Sequence, residues 1–202
     1  MRSRTRAPHA TRARILHTAF TEFYRNGFQS GSLNRIIEDA GVTKGALFHH
    51  YDGKQALGFA VIEEIITARI AERWIKPLAK SVDPVTDIQQ IVKGIMRQNV
   101  KNGSLHQGCP LNNLAQEMSP LDEGFRLRIE RIYDAWRDSV EAAFTRGIKT
   151  GQVRTAVEPR EVAAFVVAAM TGIIGTAKNA QSEELMRAAG GVLVDYLQSL
   201  KP

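Results

Sequence analysis

Between Thr43 and His50 the chain places hydrogen-bonding side chains beside very small ones. Thr43, Lys44, His49 and His50 carry donors and acceptors suited to base edges and phosphates. Gly45 and Ala46 would let a helix backbone approach a DNA groove closely. A helix packed inside a protein would bury larger apolar residues at these positions. Upstream lie Arg2, Arg4, Arg6, Arg12 and Arg14, placed for a basic arm or first-helix N-terminus to meet phosphate or the minor groove. Taken alone, the pattern serves equally well as two short packing helices in any helical protein.

Charge favours the DNA reading. Of a net charge of +6, residues 1–54 contribute nine Lys/Arg against four Asp/Glu, while residues 55–202 are nearly balanced at eighteen against seventeen. The excess therefore lies where phosphate attraction would need it.

These residues need elements to hold them, and the periodicity is helical nearly throughout, with no convincing strand alternation. Ile15, Leu16, Ala19, Phe20, Phe23 and Tyr24 make one face of a first helix that Gly27 ends. Ser32 caps a second, short helix burying Leu33, Ile36, Ile37 and Ala40, which Gly41 stops. Thr43 caps a third. Asp52, with Gln55 three residues on, reads as a capping box for a fourth helix running to Ile75 and ended by Pro77. Further starts fall at Asp83-Pro84, Ser119-Pro120, Pro159 and Ser182. The reading is an all-α protein of about nine helices: an N-terminal head (residues 1–50) on a larger body (residues 51–202).

Other chemistries find little support. The chain has no Walker pattern, no glycine-rich dinucleotide fingerprint and no GxSxG, so an enzyme is not expected. No cofactor is implied. His106 and Cys109 have a metal-like spacing, but two ligands do not make a site, so no metal is expected. A lone cysteine excludes an intrachain disulfide and suits a reducing cytosol. No apolar run approaches a membrane span, and the basic N-terminus lacks the apolar core of a secretory signal. A cytoplasmic protein without membrane attachment is the expectation.

Gly27-Phe28, Ser32, Ile36, the run Ala40-Gly41-Val42-Thr43-Lys44-Gly45-Ala46-Leu47-Phe48-His49-His50-Tyr51, and Lys54 through Leu57 resemble the N-terminal domain of TetR-type transcriptional regulators over about residues 12–57. The resemblance implies a sequence-specific DNA-binding regulator, a repressor released from a palindromic operator by a small-molecule effector held in the C-terminal body. It implies that Thr43, Lys44, Gly45, Ala46, Phe48 and His49 lie on the reading helix, and that Lys54 meets phosphate at the start of the fourth. Ser32 would offer phosphate its hydroxyl or its helix N-terminus. The family usually has tyrosine where Phe48 stands. Phe48 lacks that phosphate-binding hydroxyl and would touch a thymine methyl instead. Where the family often has serine, this chain has Gly53, which shifts the expected cap to Asp52.

For the body, the resemblance implies a homodimer through the last two helices. Those helices are rich in small residues, among them Ala164, Ala168, Gly172, Gly175, Gly190 and Gly191. Pairing would double the few base contacts that one reading helix can make. It also implies a small-molecule pocket. Candidates to line it are Trp74, Met96, Asn112, Glu117, Phe125, Tyr133, Trp136 and Phe165, each of which serves equally as core. Gly108-Cys109 through Glu117 resembles a segment of the branch with NemR-like regulators, some of which sense electrophiles. That makes Cys109 a candidate redox or electrophile sensor, set against the commoner role of a buried small hydrophobe. The competing reading of the whole chain is a helical small-molecule-binding or scaffold protein with only non-specific DNA attachment.

Overall fold

The computed structural model describes residues 6–202, with side chains described from residue 9 onward; Arg2, Arg4 and the side chain of Arg6 lie outside them. Among the described residues there are nine helices and no strand. They are α1 (Arg6–Asn26), α2 (Leu33–Asp39), α3 (Lys44–His50), α4 (53–79), α5 (Pro84–Lys101), α6 (Pro110–Met118), α7 (Glu123–Lys149), α8 (Pro159–Ala180) and α9 (Glu183–Gln198). Two compact units result. The first holds the chain up to Ala68 together with 113–129, and the second holds 69–112 and 130–202.

Local signals place most helix ends. Ser32, Thr43, Asp83 and Ser182 each accept a hydrogen bond from the backbone N–H three residues on, as N-caps do. Gly27 and Gly41 take the left-handed conformation, with φ of +80° and +58°, just past α1 and α2.

Two expected boundaries and one expected cap differ. Asp52 precedes α4 but its side chain makes no capping bond. Helix α7 begins at Glu123, not at Ser119-Pro120, because the Asp122 carboxylate accepts the Phe125 N–H at 3.0 Å and caps the helix there. Pro77 does not end α4, which continues to Ala79. The preceding turn, Ala71–Ile75, is π-helical, and this wider turn relieves the clash that a proline ring makes with the turn before it. A second π-helical turn spans Val61–Ile66.

In the first unit, α1, α2, α3 and the start of α4 bury Ile15, Ala19, Ile36, Leu47 and Leu57. An aromatic cluster completes this core. Phe28 packs 5.1 Å from Phe23 and 4.5 Å from Phe125 between ring centroids, and Phe59 lies 4.9 Å from Phe125. Gly58 makes room for it, since a Cβ there would come within 2.5 Å of the Phe28 ring and 2.8 Å of the Phe125 ring.

In the second unit, α9 packs against α5 and α8. A Cβ at Gly190 would fall 2.1 Å from the Met96 sulfur, so this glycine lets α5 and α9 close together. Lys201 donates to Asp83 at 2.7 Å and ties the C-terminus to the start of α5. By length and composition α8 is apolar enough to cross a membrane, with a mean hydropathy of 1.4, which corrects the expectation that no segment comes near. Threonine and glycine interrupt its apolar run at Thr171, Gly172, Gly175 and Thr176. The buried residues of α8, such as Val162, Val166, Met170, Ile173 and Ala177, recur at three- and four-residue spacing. That is the spacing of a helix packed along one face inside a protein.

Candidate nucleic-acid interface

Helix α3 is anchored by one residue and open elsewhere. Leu47 is fully buried, while Thr43, Lys44, Gly45, Phe48 and His49 are exposed and Ala46 is half-buried. The Thr43 hydroxyl accepts the Ala46 N–H at 3.1 Å, which fixes the first turn and leaves its own proton to donate. Phe48 is 45% exposed, unusual for a large apolar side chain, and the Lys44 ammonium sits 5.9 Å from its ring centre. His49 and His50 meet edge to face at 5.1 Å. Burial and the neighbouring His49 and Arg12 lower the pKa of His50. Gly45 has helical backbone, and a Cβ there would meet nothing nearer than the Thr43 hydroxyl at 4.0 Å. Among the described residues nothing calls for glycine at that position.

The flanking candidates are already engaged within the head. Ser32 caps α2, and its N–H donates to Glu22 at 2.9 Å. Lys54 donates to the Gln29 carbonyl at 2.8 Å with its ammonium 5.0 Å from the Phe28 ring centre, and partial burial lowers its pKa. Arg12, expected at phosphate, instead forms a two-pronged pair with Glu64 of α4. Ile36, Leu47 and Tyr51 are buried in the head, and Leu33 and Val42 are half-buried.

Two carboxylates hold the turn between α1 and α2, and sequence reasoning missed both roles. Buried Glu22 accepts from Ser32 N–H and from Asn26 at 2.8 Å, and pairs with Arg35 at 3.1 Å. Its four-residue spacing from Asn26 was the available signal. Glu117 accepts the N–H groups of Phe28 and Gln29 at 2.8 and 2.7 Å. No local signal marks a bond that spans 88 residues.

The eight pocket candidates fall in both units. Trp74, Trp136 and Tyr133 come together in the second unit, with ring centres 4.7 Å apart for the tryptophans and 6.4 Å for Tyr133 and Trp136. The Trp136 indole N–H is buried without a partner among the described residues, and burial raises the Tyr133 pKa. Asn112 lies beside Gly175 of α8, its amide nitrogen 3.6 Å from the place a Cβ would take. Met96 lines a groove of about 320 Å³ with Lys93, Arg97, Val100, Lys101 and Arg187. Phe165 stands exposed on α8, edge-on to Tyr196 at 4.7 Å. Phe125 and Glu117 belong to the first unit, where the aromatic cluster and the α1–α2 turn occupy them. Cys109 precedes α6, but burial of its thiol raises the pKa, outweighing the Leu111 and Asn112 amides and the positive charge of Arg73 and Arg69. The residue keeps intermediate surface exposure overall. The sulfur is the atom that reacts, so its burial decides. A sensor thiol reacts through a lowered pKa, and this environment gives the opposite shift. Among the described residues no cluster of three potential metal ligands occurs.

A helix capped at Thr43, seated on Leu47 and open along its outer face is a helix-turn-helix reading element, and the fold around it is that of a DNA-binding regulator. Residues 15–61 match the bacterial regulatory proteins, tetR family, and residues 79–191 match the tetracyclin repressor-like C-terminal domain. The chain belongs to the TetR family: it is a DNA-binding transcriptional regulator with a C-terminal ligand-binding domain, not an enzyme. It is 29% identical over 154 residues to the transcriptional repressor DhaR of Mycobacterium sp. (strain GP1), covering 75% of this chain and 74% of DhaR. Among solved structures, a TetR transcriptional regulator from Chloroflexus aurantiacus J-10-FL aligns with a TM-score of 0.85 at 24% identity, over 96% of both chains. The reduced form of Escherichia coli NemR aligns with a TM-score of 0.75 at 22% identity, over 95% of this chain and 97% of NemR. At these identities the likeness to the two structures is one of fold.

Proposed function

We propose that the protein is a dimeric repressor that binds a palindromic operator and leaves it when a small molecule fills the C-terminal body. In this reading residues 1–50 bind DNA, residues 51–202 hold the effector and the dimer contact, and the protein works in the cytoplasm. Helix α3 enters the major groove. Thr43, Lys44 and His49 face bases or the adjoining phosphates, Gly45 and Ala46 let the backbone close on the groove, and Phe48 meets a thymine methyl. Ser32 and Lys54 hold flanking phosphates. The observation that carries the reading is the open face of α3, with Gly45 free of any contact inside the chain that would call for glycine.

Pairing through α8 and α9 has its own support. Val192 is 69% exposed, and Leu185 and Phe165 are exposed with it. Gly172 and Gly191 have nothing within 4 Å of where a Cβ would stand. Large apolar side chains beside bare glycines suit a partner helix packing closely. For the effector, the unpaired indole N–H of Trp136 favours a ligand carrying a hydrogen-bond acceptor.

Selection of bound sequences from a random duplex pool, with the purified protein at near-physiological salt, tests the reading. An enriched palindrome is the expected result. Binding that falls with salt but enriches no sequence overturns it and leaves only non-specific attachment.

A further inference from the structure

Glu117 lies in the last turn of α6, far along the chain from the reading helix. Its two carboxylate oxygens each take one backbone N–H of the α1–α2 turn: Oε2 from Phe28 at 2.8 Å and Oε1 from Gln29 at 2.7 Å. These are charge-assisted bonds, the stronger class. Gly27 completes the cradle. A Cβ there would come within 3.0 Å of one carboxylate oxygen and 3.2 Å of the other, and its φ of +80° already disfavours a side chain. Three successive residues, 27 to 29, thus fit a carboxylate.

The turn held this way in turn holds Lys54. The Gln29 carbonyl accepts the Lys54 ammonium at 2.8 Å, and the Phe28 ring lies beneath that ammonium. The charges of Glu117 and Glu22 both act on Lys54. Glu117 fixes the N–H side of the two residues whose carbonyl and ring seat the lysine.

We propose that Glu117 is a positioning residue for DNA binding, setting Lys54 through the backbone of Phe28 and Gln29, which makes the end of α6 part of the DNA-binding machinery. The inference rests on the operator-binding reading, in which Lys54 meets phosphate. Helix α6 has its first residues in the second unit and its last, Glu117 among them, in the first.

The test uses the full chain and the duplex obtained by selection. Glu117→Gln, Lys54→Met and the double variant are compared in affinity across a range of salt. Glu117→Gln replaces one acceptor oxygen with an NH2 donor and leaves the other uncharged, and operator binding is expected to weaken about tenfold. The slope of log affinity against log salt is expected to fall by about one, as it does for Lys54→Met. In the Lys54→Met background the Glu117 substitution is expected to cost nothing more, because both act through one contact. Additive losses with an unchanged salt slope overturn the proposal and leave Glu117 a structural brace. Should Glu117→Gln not fold, as read by helical circular dichroism, Glu117→Asp replaces it. That variant keeps the charge but draws it back by one methylene, and an unchanged salt slope there likewise overturns the proposal. Failure of the natural chain to select any duplex refutes the operator reading instead.

Discussion

Arg12 of α1 grips both carboxylate oxygens of Glu64 in α4, and its guanidinium lies 5.3 Å from the centre of the Tyr51 ring. The pair joins the first and fourth helices across the end of the reading helix. The Arg12 hydrogen bonds pull the Glu64 pKa below its ordinary value, against the opposing pull of burial. A depressed carboxylate pKa stabilises the fold above the ordinary value near 4.5, and that contribution is lost as pH falls through the lower folded value. The side chains are 39% and 41% exposed, so solvent screening limits the pair to about 0.5 kcal/mol. Glu64→Gln is expected to lower the melting temperature by about 1–2 °C at pH 7. The gap should narrow as the pH falls below 4.5; a gap that stays constant down to the acid transition assigns the loss to packing and not to charge.

Gly45→Ala separates folding from DNA reading. The added methyl meets open space in the chain, and alanine favours helix, so stability should hold or rise by up to about 1 kcal/mol. Operator affinity should nevertheless fall, because the methyl stands between backbone and groove. His49→Ala is expected to change the preferred base at one operator position by about 1–3 kcal/mol and leave the others alone. Thermal melts and duplex selection measure the two effects. Undiminished affinity in Gly45→Ala would take α3 out of the groove.

Val192→Asp tests the dimer. The side chain points away from its own chain's core, so helix content should be unchanged. A charge placed against a partner helix should weaken the dimer by more than about tenfold. Sedimentation at several concentrations reads this directly. A dimer of unaltered strength moves the interface away from α9.

Cys109 should be a slow thiol. Burial raises its pKa, so little thiolate is present at pH 8. Alkylation by iodoacetamide is expected to run at least about tenfold slower in the native protein than in denaturant, and Cys109→Ser should bind operator normally. Rapid native alkylation at pH 7 would restore the case for a sensor.

Much of the head was legible because its signals are local. Ser32 and Thr43 cap through N–H groups three residues away, and Gly27 and Gly41 stop helices by their own backbone freedom. The same logic found Asp83 and Ser182. It failed where two local signals competed: Ser119-Pro120 looked like a helix start, but Asp122 lay closer to the apolar run and its carboxylate won the cap. At Pro77 it failed because a π-helical turn changed what a proline could tolerate.

The residue types between Thr43 and Lys54 pointed to a DNA-reading helix only together with the basic charge of the head and the family resemblance, while the periodicity was enough for an all-α chain. Which polar groups stay free to act was settled by contacts between distant segments. Arg12 reads as a phosphate contact until Glu64, 52 residues on, takes it. Glu117 holds the Phe28 and Gln29 amides and Phe125 packs in an aromatic core, contacts that no local pattern announces. The periodicity that puts a residue on one face of a helix reports which way its side chain points, not what lies opposite. The partner depends on how helices far apart in the chain pack, and no local pattern encodes that.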